Sequence, residues 1–122
     1  MAHFEFVEVR SSPIDGLGVF ARRIIAKGTL LGMYEGEVLS AEEFAKRYPL
    51  DDSKYVLDIG GNTFIDAVDP QKSNFSRYIN SPRGTRKKPN VSFVDNGKIL
   101  SLKKIEKDEE ILVSYGSTYY WK

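Results

Sequence analysis

Apolar and polar residues alternate over short stretches along most of this chain, the signature of strands half-buried against a core. Phe4, Phe6, Val7 and Val9 make a β-prone start whose parity slips midway, as a bulge would allow. Asp15-Gly16-Leu17-Gly18 predicts a turn into Val19-Phe20-Ala21, and residues 24–28 lead into an apolar segment over 29–34. Tyr55, Leu57 and Ile59 share one strand face, after which Gly60-Gly61-Asn62 turns the chain into Phe64-Ile65-Asp66. Asn96-Gly97 lies between Val91-Ser92-Phe93-Val94 and Lys98-Ile99-Leu100, a strong hairpin signal. Ile111, Val113 and Tyr115 alternate before Gly116. Against this strand-rich background one helix stands out. Ser40 followed by Glu43 is a capping box and Pro49 a stop, predicting a helix over 41–48. With no repeats, low-complexity tracts or linkers, the pattern predicts one mostly β domain of many short strands and one or two short helices.

Composition narrows the chemistry more than the fold. The 122 residues allow one modest core, and 41% hydrophobic with 29% charged is ordinary for a soluble protein. Eighteen basic residues against seventeen acidic ones do not mark a nucleic-acid binder overall. The absence of cysteine excludes disulfides, thiolate metal sites and cysteine nucleophiles, and a single histidine, His3, argues against histidine general-base chemistry and metal binding. No signal peptide and no membrane-length apolar run is expected, so an intracellular, non-membrane protein is the default reading, and two Asn-x-Ser sequons are taken as chance.

Several stretches carry candidate chemistry, each with a plainer alternative. Gly16-Leu17-Gly18 reads first as a turn; its second reading is two glycines that let backbone amides approach a ligand carboxylate. Tyr115-Gly116 ends a strand, where a phenol could reach a cleft instead of the core. Tyr119, Tyr120 and Trp121 crowd the last residues and must dock on something, either the core or a planar ligand such as adenine. Arg83, Arg86, Lys87 and Lys88 form a basic run that is a solvated loop or a patch for an acidic or nucleic-acid-bearing partner. The stretch 74–90 places Asn74, Asn80 and Asn90 around that run, with Arg77 between Ser76 and Tyr78.

The order of these pieces resembles the SET domain, the catalytic module of a large class of protein lysine methyltransferases. The family's Gly-x-Gly-Val-Phe-Ala is matched by Gly16 to Ala21, its Ile-x-x-Gly by Ile25 to Gly28 and its Tyr-x-Gly-Glu by Tyr34 to Glu37. Phe64 to Ala67 matches the Ile-Asp-Ala segment, and Arg77-Tyr78-Ile79-Asn80 with Pro89-Asn90 the Asn-bearing segment. Glu109 to Gly116 matches the last motif. Nearly the whole chain is covered, in family order.

The resemblance implies a β-clip-like fold of several small sheets with a C-terminal pseudoknot, in which the Asn80 and Tyr115 segments meet by threading, a rare topology. It implies a single domain over 1–122, with the cofactor and catalytic core motifs in 71–116 and an aromatic cap in 117–122. It implies S-adenosylmethionine as cofactor, held by Gly16, Leu17, Gly18, Arg77, Tyr78, Asn80, Ser81, Tyr120 and Trp121. Tyr115 matches the catalytic phenol. Tyr34 matches an aromatic at the lysine channel, whose other walls would be Phe93 and Val113. Because Val113 stands where the family often carries a phenol, di- or trimethylation is expected. Three departures are notable: Ser81 replaces the family His, the basic run lengthens the Asn80-to-Asn90 interval as in the PR-type branch, and flanking zinc-binding cysteines are absent, as in small viral SET proteins. The implied function is methylation of a histone tail, at chromatin or in the nucleus, with the basic run on DNA or a nucleosome and a homodimer left open. A PR-like interaction module without turnover and a non-histone methyltransferase are the alternatives.

Overall fold

The computed structural model describes residues 5–50 and 53–114. Among the described residues, nine short strands form three antiparallel three-stranded sheets. The first holds β1 (Val7–Ser11), β2 (Leu17–Ala21) and β9 (Glu110–Ile111), in that order. The second is ordered β3 (Leu30–Met33), β8 (Lys98–Ser101), β7 (Val91–Val94), and the third β4 (Glu37–Ser40), β6 (Thr63–Asp66), β5 (Val56–Gly60). One helix, α1 (Ala41–Arg47), and two 3₁₀ turns, Pro70–Lys72 and Phe75–Tyr78, complete the described elements.

Local sequence accounts for most of these. The Ser40 hydroxyl accepts from the Glu43 N–H at 3.1 Å while the Glu43 carboxylate accepts from the Ser40 N–H at 2.9 Å, so both halves of the capping box form. The helix buries Phe44 against Phe64, with ring centroids 4.5 Å apart and nearly parallel, and closes a small cluster with Leu39 and Val56. The hairpin between β7 and β8 forms, but its loop is Asp95-Asn96-Gly97, all three at positive φ, one residue longer than the Asn-Gly pair alone. The parity slip at the N-terminus is not a bulge. Val7 through Ser11 pair one-for-one with Ala21 through Leu17, and Phe6 precedes the strand. Leu17 and Gly18 likewise belong to β2, so the preceding turn is tighter than the pattern suggested. The register shifts fall elsewhere, between Leu30 and Gly32 of β3 and between Asp58 and Gly60 of β5. Gly32 has its own reason to be small, since a Cβ there would lie 3.0 Å from the Phe75 ring.

The main core draws on all three sheets, with Val19, Ile25, Tyr34, Leu57, Ile79, Ile99, Ile105 and Ile111 fully buried within it. Each such aliphatic side chain contributes roughly 1.5–3 kcal/mol. The C-terminal segment is held by two distant stretches at once. Asn80 bridges Leu112 and Val91 bridges Val113, both in parallel, so residues 112–113 run between the two ends of the 81–89 excursion. That arrangement is the described half of the expected crossing; its Tyr115 half lies outside the described residues.

Candidate functional site

A buried carboxylate organises one side of the molecule. Glu110, on β9 beside Phe20 of β2, is 3% exposed. Its carboxylate accepts from the Ser12 hydroxyl at 2.9 and 3.0 Å and from the Asn80 side-chain amide at 3.0 Å. The same Asn80 amide donates to the carbonyls of Asp15 and Leu17 at 3.2 and 3.1 Å. Ser12 in turn accepts from the Ile14 N–H, and its own N–H donates to the Gly16 carbonyl, which folds residues 12–16 into a compact turn. Gly18 makes the arrangement sterically possible. A Cβ there would stand 2.4 Å from Glu110 Oε2 and 2.9 Å from Ser12 Cβ. Gly16, by contrast, sits at φ +42° with nothing within 4 Å of a Cβ position, so its side of the turn is open. The structure therefore brings Gly16, Leu17, Gly18 and Asn80 together, with Ser81 next in the chain.

A second asparagine acts as a piece of backbone. Asn90 is 1% exposed; its side-chain amide donates to the Glu110 carbonyl and its side-chain oxygen accepts from the Leu112 N–H, both at 2.8 Å. Its own N–H donates to the Leu112 carbonyl at 3.0 Å, and the Val113 N–H donates to the Asn80 carbonyl at 3.1 Å. Strand-like pairing thus continues from β9 through Val113, which bridges Val91 at the start of β7. Ser81 accepts from the Arg83 N–H at 3.1 Å and helps shape the start of the basic loop.

Tyr34, Phe93 and Val113 are all buried. Tyr34 is fixed at both ends: its N–H donates to the Gly97 carbonyl and its phenol to the Tyr55 carbonyl, each at 2.7 Å. Gly97 closes the hairpin loop over it at φ +96°, a backbone that favours glycine, and a Cβ there would be a tight 3.3 Å from that of Tyr34. Phe93 meets Tyr34 edge-on with centroids 5.4 Å apart. Phe93 also lines an open groove of about 850 Å³ between β5 and the β7–β8 hairpin, walled by Leu57, Ile59 and Gly97 among others. β5 is the edge of its sheet.

Arg77 is engaged within the protein. Its guanidinium donates to the carbonyls of Ala67 and Val68 at 2.8 and 3.1 Å and lies over the Tyr55 and Tyr78 rings, 4.3 and 5.0 Å from their centroids. It thereby ties the Asn80 segment to the strand end that supports Tyr34. A separate ionic cluster docks α1: Arg47 bonds Glu37 at 3.0 Å and the fully buried Asp66 carboxylate at 3.1 Å, and Tyr48 donates to Asp66 at 2.7 Å. The hydrogen bond from Arg47 holds the Glu37 carboxyl below the usual carboxylate range. Gly36 lets this corner close, since a Cβ would fall 2.3 Å from the Asp66 carbonyl oxygen. Tyr115, Tyr120 and Trp121 lie outside the described residues. Among the described residues there is no group of three or more potential metal ligands, and no helix is long and apolar enough to cross a membrane.

Sequence reasoning missed Glu110 as an organising group, and Ser12 with it. The signal was present in Glu109-Glu110 before an apolar strand, but nothing in the local pattern tells which of the two acids faces inward. Only Glu110 faces inward: Glu109 is exposed.

Three small sheets around one core, with a C-terminal strand bracketed by the Asn80 and Asn90 segments, define a PR/SET domain. The chain belongs to the PR-domain family, whose description "PR domain zinc finger protein 2, PR domain" matches residues 5–122. It is 37% identical over 117 residues to "Histone-lysine N-methyltransferase set-17" of Caenorhabditis elegans, covering 93% of this chain and 41% of that protein. It is 32% identical over 110 residues to "PR domain zinc finger protein 14" of Homo sapiens, covering 87% of this chain and 19% of that protein. Among solved structures it is similar to "ctPRC2 in an autoinhibited conformation bound to S-adenosylmethionine", with TM-score 0.72 and 25% identity over 96% of this chain and 16% of that one. The chain thus spans less than half the length of these relatives.

Proposed function

We propose that this chain is an S-adenosylmethionine-dependent protein lysine N-methyltransferase acting on a histone tail. The observation that carries the reading is the single junction where Asn80 ties the Gly16–Gly18 turn to Glu110, beside the segment that leads to Tyr115. The donor set fits this cofactor. The turn is open at Gly16, where backbone amides could be approached by the cofactor's carboxylate. Gly16 to Gly18, Asn80 and Ser81 would hold the cofactor, with Tyr78 beside them, Arg77 positioning their segment and Tyr120 and Trp121 as its cap. Relatives named as histone-lysine N-methyltransferases and the neighbour bound to S-adenosylmethionine support the same reading.

When bound, S-adenosylmethionine supplies an electrophilic methyl group on a sulfonium. The protein's part is to present a neutral amine in line with it, so alignment does most of the work. Lysine ordinarily titrates near ~10.4, and an apolar channel formed by the buried Tyr34, Phe93 and Val113 would disfavour its charged form. The substrate chain would lie extended along the edge of β5, in the groove lined by Phe93, a form of strand addition. Tyr115 would be the phenol at the reacting amine. Val113 offers no hydroxyl to restrain a methylated amine, which supports di- or trimethylation.

Calorimetric titration with S-adenosylmethionine tests the reading. Wild type should bind it, and Gly18→Ala, which evicts the Glu110 carboxylate, should bind at least about tenfold more weakly. No binding by the wild type would overturn the proposal. A second reading, a PR-type interaction module without turnover, is favoured by Ser81 in place of the family histidine and by the PR-domain match itself. It predicts no transfer to any protein.

A further inference from the structure

The excursion between Asn80 and Asn90 is not absorbed by the proposed chemistry. It is built as a shaped loop. Pro82 is buried, the Thr85 N–H and hydroxyl both donate to the Pro82 carbonyl at 2.9 and 2.6 Å, and the Lys87 N–H donates back to the Thr85 hydroxyl at 3.0 Å. Gly84 supplies the positive φ of +82° that the turn requires. Its ends are pinned where Asn80 and Asn90 pair with the 112–113 segment. Arg83, Arg86, Lys87 and Lys88 project from it, all exposed and none in an ion pair among the described residues.

The rest of the molecule makes that charge distinctive. No acidic residue occurs between Asp69 and Asp95. The loop takes four of the 18 basic residues, so the other 14 face all 17 acids and the remaining body carries a formal charge of −3. A shallow depression of about 390 Å³ lies in the loop, lined by the hydroxyl residues Ser81, Thr85 and Ser114 together with Arg83 and Lys87. The Thr85 hydroxyl is held by the Pro82 carbonyl, but the Ser81 and Ser114 hydroxyls and the cationic groups around a small depression match a phosphate group.

We infer that this loop is a seat for the sugar–phosphate backbone of duplex DNA, engaged without regard to sequence. The loop carries no aromatic residue on which unpaired bases could stack, which argues against a single strand. The cations stand on an exposed turn, with no helix or strand there to enter a major groove, so backbone contact is the mode that fits. It also offers no exposed apolar anchor of the kind an acidic protein partner would need for a stable interface.

Fluorescence anisotropy with a mixed-sequence duplex of about 25 base pairs, at several salt concentrations, tests this without reference to methyl transfer. The wild-type chain should bind in low salt, with log K falling against log salt at a slope between about −2 and −4, since each neutralised phosphate contributes about −0.9. Replacing Arg83, Arg86, Lys87 and Lys88 by Gln should abolish binding and flatten the slope. Replacing the exposed Lys27, Lys54, Lys103 and Lys107 by Gln removes the same charge and should leave most of the affinity. Absence of binding in low salt, or equal loss in both variants, would overturn the assignment. So would displacement of the DNA by polyglutamate of matched charge, which would point to an acidic protein partner.

Discussion

Asn74, Asn80 and Asn90 each stand in for backbone where two chain segments must be joined. Asn74 accepts from the Ser76 N–H at 2.9 Å and donates to the Met33 carbonyl at 3.0 Å, while Asn80 and Asn90 close the turn–strand junction. A carboxamide suits this role because it offers a donor and an acceptor in a fixed plane. Asn90→Ala should therefore leave the Glu110 carbonyl and the Leu112 N–H buried and unpaired. A loss of about 2–4 kcal/mol is expected by urea unfolding; a loss under about 0.5 kcal/mol would show that water replaces the side chain. Gly18→Ala should cost about 1–3 kcal/mol in the same assay, because the added methyl takes the place of the carboxylate. The glycine was legible in the sequence only as a turn residue or a ligand-facing one. Its immediate reason is Glu110, 92 positions on (110 less 18), and no local pattern could show that.

At the scale of elements, whatever depended on near neighbours was readable. The capping box, the β7–β8 hairpin and the alternating strands follow from residues within a few positions of one another. Expectations failed where a tertiary partner decided the outcome: β1 stays regular because β2 pairs with it throughout, and the bulges fall in β3 and β5 instead. Ser40→Ala should cost about 1 kcal/mol by removing the helix cap, as a denaturant titration would show. The contact between α1 and β4 is also acid-sensitive. Glu37 has a lowered carboxyl pKa because of Arg47, so its contribution is complete above the ordinary carboxylate range and lost as pH falls through the lowered value. Between pH 7 and pH 3 the wild type should lose more stability than Arg47→Gln. Equal losses would mean that the pair is too well solvated to matter.

On the scale of the whole molecule, three proposed roles fall on three regions around one small core. The Gly16–Asn80–Glu110 junction lies on one, the Phe93-lined groove on another, and the cationic loop between Asn80 and Asn90 joins the first through Ser81. The order of motifs made the family legible from the sequence, since it spans nearly the entire chain. The route by which residues 112–113 pass between two distant segments could be expected only from that resemblance, because periodicity carries no information about threading. The most direct measurement is transfer of labelled methyl from S-adenosylmethionine to core histones and nucleosomes, with Tyr115→Phe alongside. Transfer by the wild type is expected, with a fall of about 10²-fold or more in the variant. Cofactor-bound wild type without transfer to any histone would contradict the histone assignment, and loss of cofactor binding as well would leave the interaction module as the function.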